Sequence, residues 1–311
     1  MILRGTAPQT TLRRPCVLGG RGYWSGRAVD VQILPAPADS GYRLRRVDLP
    51  GRPIVDATIG HRVDAALRTN LRTPAASFQM VEHVLSALAG MGVDNALVEI
   101  NAEELPGLDG GAGAYADAIA TAGTRNQDAP ARLLVITETF VIRDGNATMR
   151  VDPPRGRETY HEFQLAYDSE TDTPIAPQAF GMEIGPESYR RQIAPARTFI
   201  THGDADAIRA RGLAGHVTES DLLIIDEDGT PMNNHFRFIN ELARHKTLDM
   251  IGDLALAGIR VAGRFTSHRG GHALNGRTAR RIAELAVSTL ARDGRSSYTK
   301  VDRDAATRRA A

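Results

Sequence analysis

The chain has 311 residues, 42% of them hydrophobic, which suffices for one large core or two modest ones. Its 38 basic and 37 acidic residues leave a formal charge of +1, so there is no general electrostatic drive toward nucleic acid or an anionic membrane, and any anion must be bound locally. The only cysteine, Cys16, excludes an intramolecular disulfide and a cysteine-rich zinc site, and no uncharged run reaches the roughly 20 residues of a membrane span. The expected location is the cytoplasm, and any metal needs His and carboxylate ligands.

In chain order, short β-type runs come first, at 28–34, 42–47 and 54–59. Val81, Val84, Leu85 and Leu88 follow helical spacing and Gly90 supplies a stop, which predicts a helix over 81–89. A strand over 96–100 and a helix over 114–122 follow, separated by the Asp109-Gly110-Gly111 turn. The polar, Pro-containing stretch 126–130 suits a domain boundary. Strands are then expected at 133–141, 148–151 and 162–166, a long helix from 239 to about 257, a strand over 260–265 and a last helix over 276–291. Residues 293–311 read as a frayed, charged tail. His83 and His245 each sit in a helix that runs to an Ala-Gly stop and on to a strand, an echo that suggests two related α+β units.

The strongest local signal is the run from Arg244 to Asp253, which on a helix sets His245, Asp249 and Asp253 four apart on one face. An imidazole and a carboxylate on adjacent turns can grip one metal ion, although that spacing more often makes a solvated ion pair. A catalytic zinc takes three protein ligands, and His83 is the best third, with Glu82 beside it as a carboxylate for proton transfer. Lys246 could stabilise an oxyanion or be a surface charge. His272 follows Arg269-Gly270-Gly271, whose glycines permit close approach of backbone to a ligand or simply make a turn.

Seven blocks, in this order, carry a family resemblance: LPAPADSGYRLRRVDL (34–49), VEHVLSALAGMGVDNALVEI (81–100), ELPGLDGGAGAY (104–115), ARTF (196–199), RGL (211–213), RHKTLDMIGDLALAG (244–258) and RGGHALN (269–275). Together they resemble the UDP-3-O-acyl-N-acetylglucosamine deacetylases, zinc enzymes of lipid A biosynthesis. The resemblance implies one catalytic Zn2+ on His83, His245 and Asp249, with Glu82 as general base. It implies His272 as general acid kept protonated by Asp253, since a neighbouring carboxylate favours imidazolium. Thr198 and Lys246 would then stabilise the tetrahedral intermediate, Phe199 would line the substrate site and Arg269 would face the substrate diphosphate.

The implied fold is α+β, two related two-layer sheet-plus-helix domains packed helix to helix with the metal between them. The first would be 1–128, supplying Glu82 and His83, and the second 129–292, with an acyl-passage insert at about 201–226. Gly212 and Leu213, with Ile200, Ile208 and Leu223, are the candidate lining, unless they are the core of a small βαβ unit. The expected partner is a small UDP-linked acylated glucosamine, with no nucleic acid and the chain a monomer.

The usual G-L-H-T-G reads Gly22-Tyr23-Trp24-Ser25-Gly26, the Ser-Thr before V-E-H reads Gln79-Met80, D-G-S reads Asp109-Gly110-Gly111, and the Gly-Gly after R-G-L reads Gly215-His216. These departures leave two alternatives: a deacetylase of a different N-acyl sugar nucleotide, or a zinc or nucleotide-sugar binding protein without turnover. The intact set Glu82, His272 and Asp253 argues against the second.

Overall fold

A computed structural model describes residues 1–156, 159–167 and 173–292. The helices are α1 (Glu82–Gly90), α2 (Gly113–Ala122), α3 (Pro186–Gln192), α4 (His202–Ala210), α5 (Glu241–Ala255) and α6 (His272–Arg292). Among the described residues two five-stranded sheets carry one topology. In the first, Cys16–Arg21, Ala28–Pro35, Ala96–Ile100, Tyr42–Arg46 and Ile54–Asp56 lie side by side in that order. In the second the order is Phe140–Asp144, Ala147–Asp152, Arg264–His268, Tyr160–Leu165 and Gln178–Glu183. Each is a hairpin, then a second hairpin, with the last strand of the unit inserted at the centre parallel to one neighbour and antiparallel to the other. The echo between the halves is thus a repeated fold.

Period-two alternation decides which face of each sheet is covered. Val29, Val31 and Ile33 point inward with Ala96, Val98 and Ile100, as Met149 and Val151 do with Phe163 and Leu165 in the second sheet. Helix α2 packs on the first sheet, α5 and α6 on the second, and α1 lies against α2 and α5. One apolar cluster runs through both halves, taking Val84, Leu85 and Leu88 from α1, Tyr115 and Ile119 from α2, Leu248 and Ile251 from α5 and Ile282 from α6. The halves therefore meet through their helical layers.

Several boundaries differ from the sequence expectation. Residues 133–141 are not one strand: Thr124–Val135 ends in a separate three-stranded sheet with Ile2–Leu12 and Arg260–Ala262, and Phe140–Asp144 starts the second five-stranded sheet. Residues 260–265 are likewise two strands in two sheets, parted at Gly263, where a Cβ would come within 2.9 Å of Ile136 Cγ1. Residues 54–59 give only a three-residue strand before a 3-10 turn at Ile59–His61. The last helix begins at His272, four residues earlier than expected, because the chain turns into it through the left-handed Arg269 (φ 57°) and needs no further loop. The stretch 126–130 lies inside the long strand Thr124–Val135. The insert is a βαβ unit in which Phe199–Thr201 and Leu223–Ile225 pair in parallel around α4. The expected tail, 293–311, lies outside the described residues.

Candidate active site

The contact between α1 and α5 is made at a glycine: a Cβ on Gly252 would lie 2.0 Å from the backbone oxygen of Glu82. A glycine in mid-helix gives up helical stability relative to alanine, and here it lets two backbones approach. That approach carries the first turn of α1 onto the middle of α5. One ring nitrogen from each of His83 and His245 and one carboxylate oxygen of Asp249 lie within 4.8 Å of one another. Asp249 Oδ1 is 3.3 Å from His245 Nε2 and 3.7 Å from His83 Nε2, and the two imidazoles meet edge to face at 5.2 Å.

All three residues are buried, at 4% exposure for His83, 1% for His245 and 3% for Asp249, which removes the solvated-ion-pair reading of the four-residue spacing. Two imidazoles and a carboxylate converging from two helices are the donor set of a catalytic divalent-metal site. His245 has its Nδ1 3.1 Å from the carbonyl oxygen of Ala196, which fixes the tautomer with the Nε2 lone pair facing the cluster. Burial lowers the His245 pKa against the pull of Asp249. Burial alone would raise that of Asp249, but the His245 ring and the Lys246 ammonium, 2.9 Å from Oδ2, hold it well below the usual carboxylate range. The lowered pKa values of His245 and Asp249 both favour the form whose lone pair is free.

The other titratable residues singled out from the sequence surround this cluster. Burial raises the pKa of Glu82, 2% exposed, against the pull of His272 and His83. Its Oε2 accepts the backbone N–H of Thr69 at 2.9 Å. His272 Nδ1 donates to Asp253 Oδ2 at 2.8 Å, and its Nε2 faces Asp249 Oδ2 at 3.9 Å. Burial opposes the charge on His272, yet Asp253 and the further carboxylates of Asp249 and Glu82 lift its pKa to about 9. Lys246 is raised too, Asp249 outweighing burial.

The remaining predicted residues divide. Phe199 is in the site, its ring 6.3 Å from that of His245 and 5.9 Å from Lys246 Nζ. Thr198 is its neighbour, held by the backbone bond from its N–H to Gly110 O at 2.8 Å. Arg269 donates from Nη2 to the carbonyl of Tyr167. Gly212 and Leu213 lie past the end of α4, Leu213 being 41% exposed. Leu223 is fully buried in a core with Phe163 and Leu242.

Sequence reasoning missed four contributors. Gly252 makes the helix contact, and a glycine inside a helical pattern was its signal. Thr69 and Asn275 both donate to the Asp253 carboxylate. Arg197, 4% exposed, makes a two-pronged pair with the fully buried Glu241, at 2.8 and 3.1 Å, and so holds the segment whose Ala196 carbonyl meets His245. ARTF contains that arginine, but nothing in the sequence shows its partner.

Three of the four departures converge. Tyr23, Met80 and Val217 form an apolar cluster with Trp24, Ala214 and Leu222. The Tyr23 hydroxyl donates to the carbonyl of Asp221, His216 Nε2 is 2.8 Å from Gly22 O, and the Arg68 guanidinium stacks on Trp24 at 4.4 Å. Glu104, 3% exposed, accepts the backbone N–H groups of Trp24 and Ser25, both at 2.8 Å. The first-half loop and the insert are therefore fastened to one another by the residues that depart.

A family model described as UDP-3-O-acyl N-acetylglycosamine deacetylase matches residues 9–284. The chain is 38% identical to a UDP-3-O-acyl-N-acetylglucosamine deacetylase of Anaeromyxobacter sp. (strain Fw109-5), over 88% of either chain. It is 35% identical to the protein of that name from Xanthomonas axonopodis pv. citri (strain 306), over 88% of this chain and 89% of the other. The figure is 32% for its namesake in Syntrophus aciditrophicus (strain SB), over 89% and 86%. Among the described residues no helix is long and apolar enough to cross a membrane.

Proposed function

The chain belongs to the UDP-3-O-acyl-N-acetylglucosamine deacetylase family, and from that premise we infer that it hydrolyses the N-acetyl amide of UDP-3-O-(3-hydroxyacyl)-N-acetylglucosamine, releasing acetate in lipid A biosynthesis. The observation that carries this reading is the buried His83–His245–Asp249 cluster with Glu82 and a charged His272 beside it. Zn2+ is the proposed ion, on the strength of the two-imidazole, one-carboxylate donor set. When bound it would polarise the amide carbonyl and acidify water.

The chain's own groups supply the proton transfers. Glu82 takes the proton of the attacking water, and because Thr69 holds Oε2, the free oxygen is Oε1. Burial favours that protonation by raising the Glu82 pKa. Water oxygen bonds to the acetyl carbon, the C–N bond breaks, and the departing glucosamine nitrogen receives a proton from His272 Nε2 or from protonated Glu82. Asp253 keeps His272 cationic and oriented. Lys246 and the Thr198 hydroxyl would face the developing oxyanion, with Phe199 as a wall of the substrate site.

Arg269 is assigned to the substrate diphosphate, and Gly212 and Leu213 to the acyl passage of the insert. The functional units are taken as 1–128, giving Glu82 and His83, and 129–292, giving the rest. The enzyme is expected to work as a cytoplasmic monomer. The fastened loop of Trp24 and His216 supports one second reading, a deacetylase of a different N-acyl sugar nucleotide. Acetate release from the 3-O-acylated and the unacylated UDP-N-acetylglucosamine, with bound metal measured on the same protein, tests both. Turnover of the unacylated compound alone would favour the second, and neither turnover nor bound zinc would defeat the deacetylase assignment.

A further inference from the structure

Thr69, fully buried and just ahead of the strand Asn70–Arg72, touches the proton-transfer groups of both halves. Its backbone N–H donates to Glu82 Oε2 at 2.9 Å, and its carbonyl accepts the N–H of Val81, the residue that leads into α1, at 3.1 Å. Its hydroxyl donates to Asp253 Oδ1 and lies 3.3 Å from His272 Nδ1. The other Asp253 oxygen, Oδ2, receives His272 Nδ1–H at 2.8 Å and the Asn275 amide at 2.9 Å. We propose that Thr69 is a positioning residue of the deacetylation reaction, coupling the orientation of the base Glu82 to that of the His272–Asp253 pair through one backbone and one hydroxyl hydrogen bond.

The two bonds do different things. The backbone bond ties one oxygen of Glu82 and so aims the other. The hydroxyl bond holds Asp253 Oδ1: without it the carboxylate is freer to rotate about its Cβ–Cγ bond, and the His272 ring plane, set by Asp253 Oδ2, rotates with it. A small misalignment of a proton donor is felt in the transition state more than in substrate binding. A threonine is suited to the place because its methyl group fills buried space while its hydroxyl offers one donor.

This rests on the deacetylase reading, and the experiment separates the two. Wild type, Thr69→Val and Thr69→Ser are compared for acetate release from the 3-O-acylated UDP-N-acetylglucosamine, bound zinc, melting temperature and the downfield imidazole N–H proton of His272 by NMR. Thr69→Val keeps the backbone bond and loses the hydroxyl. The expected result is a kcat lower by roughly 10 to 100-fold, the range for a residue that orients a ligand or base, with KM and zinc content held. The His272 N–H resonance moves or broadens in Thr69→Val and returns in Thr69→Ser, which also recovers most of kcat.

Wild-type kcat in Thr69→Val overturns the proposal. So does an equal loss in Thr69→Ser, or a loss that follows zinc content. Should Thr69→Val fail to fold, Thr69→Cys, similar in size with a weaker donor, is read the same way. An inactive wild type would instead remove the deacetylase reading itself.

Discussion

Each half inserts its last strand at the centre of a five-stranded sheet and places a helix before it, α1 in the first and α5 in the second. Yet the 15-residue α5 presents His245, Asp249 and Asp253 from three successive turns, while the nine-residue α1 offers Glu82 and His83 from its very first turn. On α5 helical periodicity alone aligns the three groups. At the start of α1 no such alignment operates, and the work falls to the surroundings: the left-handed Met80 (φ 59°), the clamp of Thr69 on Val81 and Glu82, and the glycine of the opposite helix. A side chain in mid-helix is positioned by its own element, and one at a helix start by its neighbours.

The largest expected effect tests whether the halves share one ion. Asp249→Ala should abolish zinc binding and lower kcat/KM by at least about 1,000-fold, since several kcal/mol of charge stabilisation go with the ion and each ~1.4 kcal/mol is tenfold; His83→Ala should match it, by metal analysis and acetate release. Zinc retained at full stoichiometry in either variant would break the comparison.

Next in size, Glu82→Gln should cost about 100 to 10,000-fold in kcat with metal retained. It would show that the first half contributes chemistry as well as a ligand.

His272→Gln should cost about 100-fold and reshape the pH profile. The wild-type kcat should fall as pH rises through about 9, where His272 loses its proton, and fall at the acid end as Glu82 is protonated. The variant should lack the alkaline limb. A profile flat from about pH 5 to 9.5 would contradict both assignments.

Gly252→Ala should lower stability by roughly 1–3 kcal/mol through overpacking and weaken zinc affinity, because it pushes the first turn of α1 off α5. Gly90→Ala, which meets the Tyr189 ring at 2.3 Å at the far end of α1, is the control: comparable loss of melting temperature, zinc affinity nearly kept.

The smallest effect concerns the second sheet alone. His161 is buried, stacked on Phe265 at 5.1 Å, and burial pushes its pKa down from 6.5 to about 3. The unfolded chain binds this proton first, so the folded state loses stability as pH falls below 6.5, by about 2 kcal/mol at pH 5. His161→Phe should remove that slope in denaturant titrations. The first sheet's inward row, Leu44 among it, has no such histidine among the described residues.

Much of this was readable in advance where a pattern is local. The 96–100 strand matches its prediction, and the α1, α2 and α5 boundaries fall within about two residues of theirs, because apolar periodicity and stop residues act at short range. The strands at 133–141 and 260–265 were misread because pairing with distant partners, which a run of valines and leucines does not name, splits each between two sheets.

The sequence by itself determined the donor types, the four-residue ladder of α5 and, through ordered motif blocks, the family. The motif blocks also grouped His83 with His245 and Asp249; only the tertiary structure decided how the three meet, because that depends on two helix backbones touching at Gly252. It also decided that the histidines are buried and that Thr69 and Arg197 hold the site from outside the motif ladder. Spacing along one helix is geometry the chain carries with it, whereas contact between helices requires the whole core to pack.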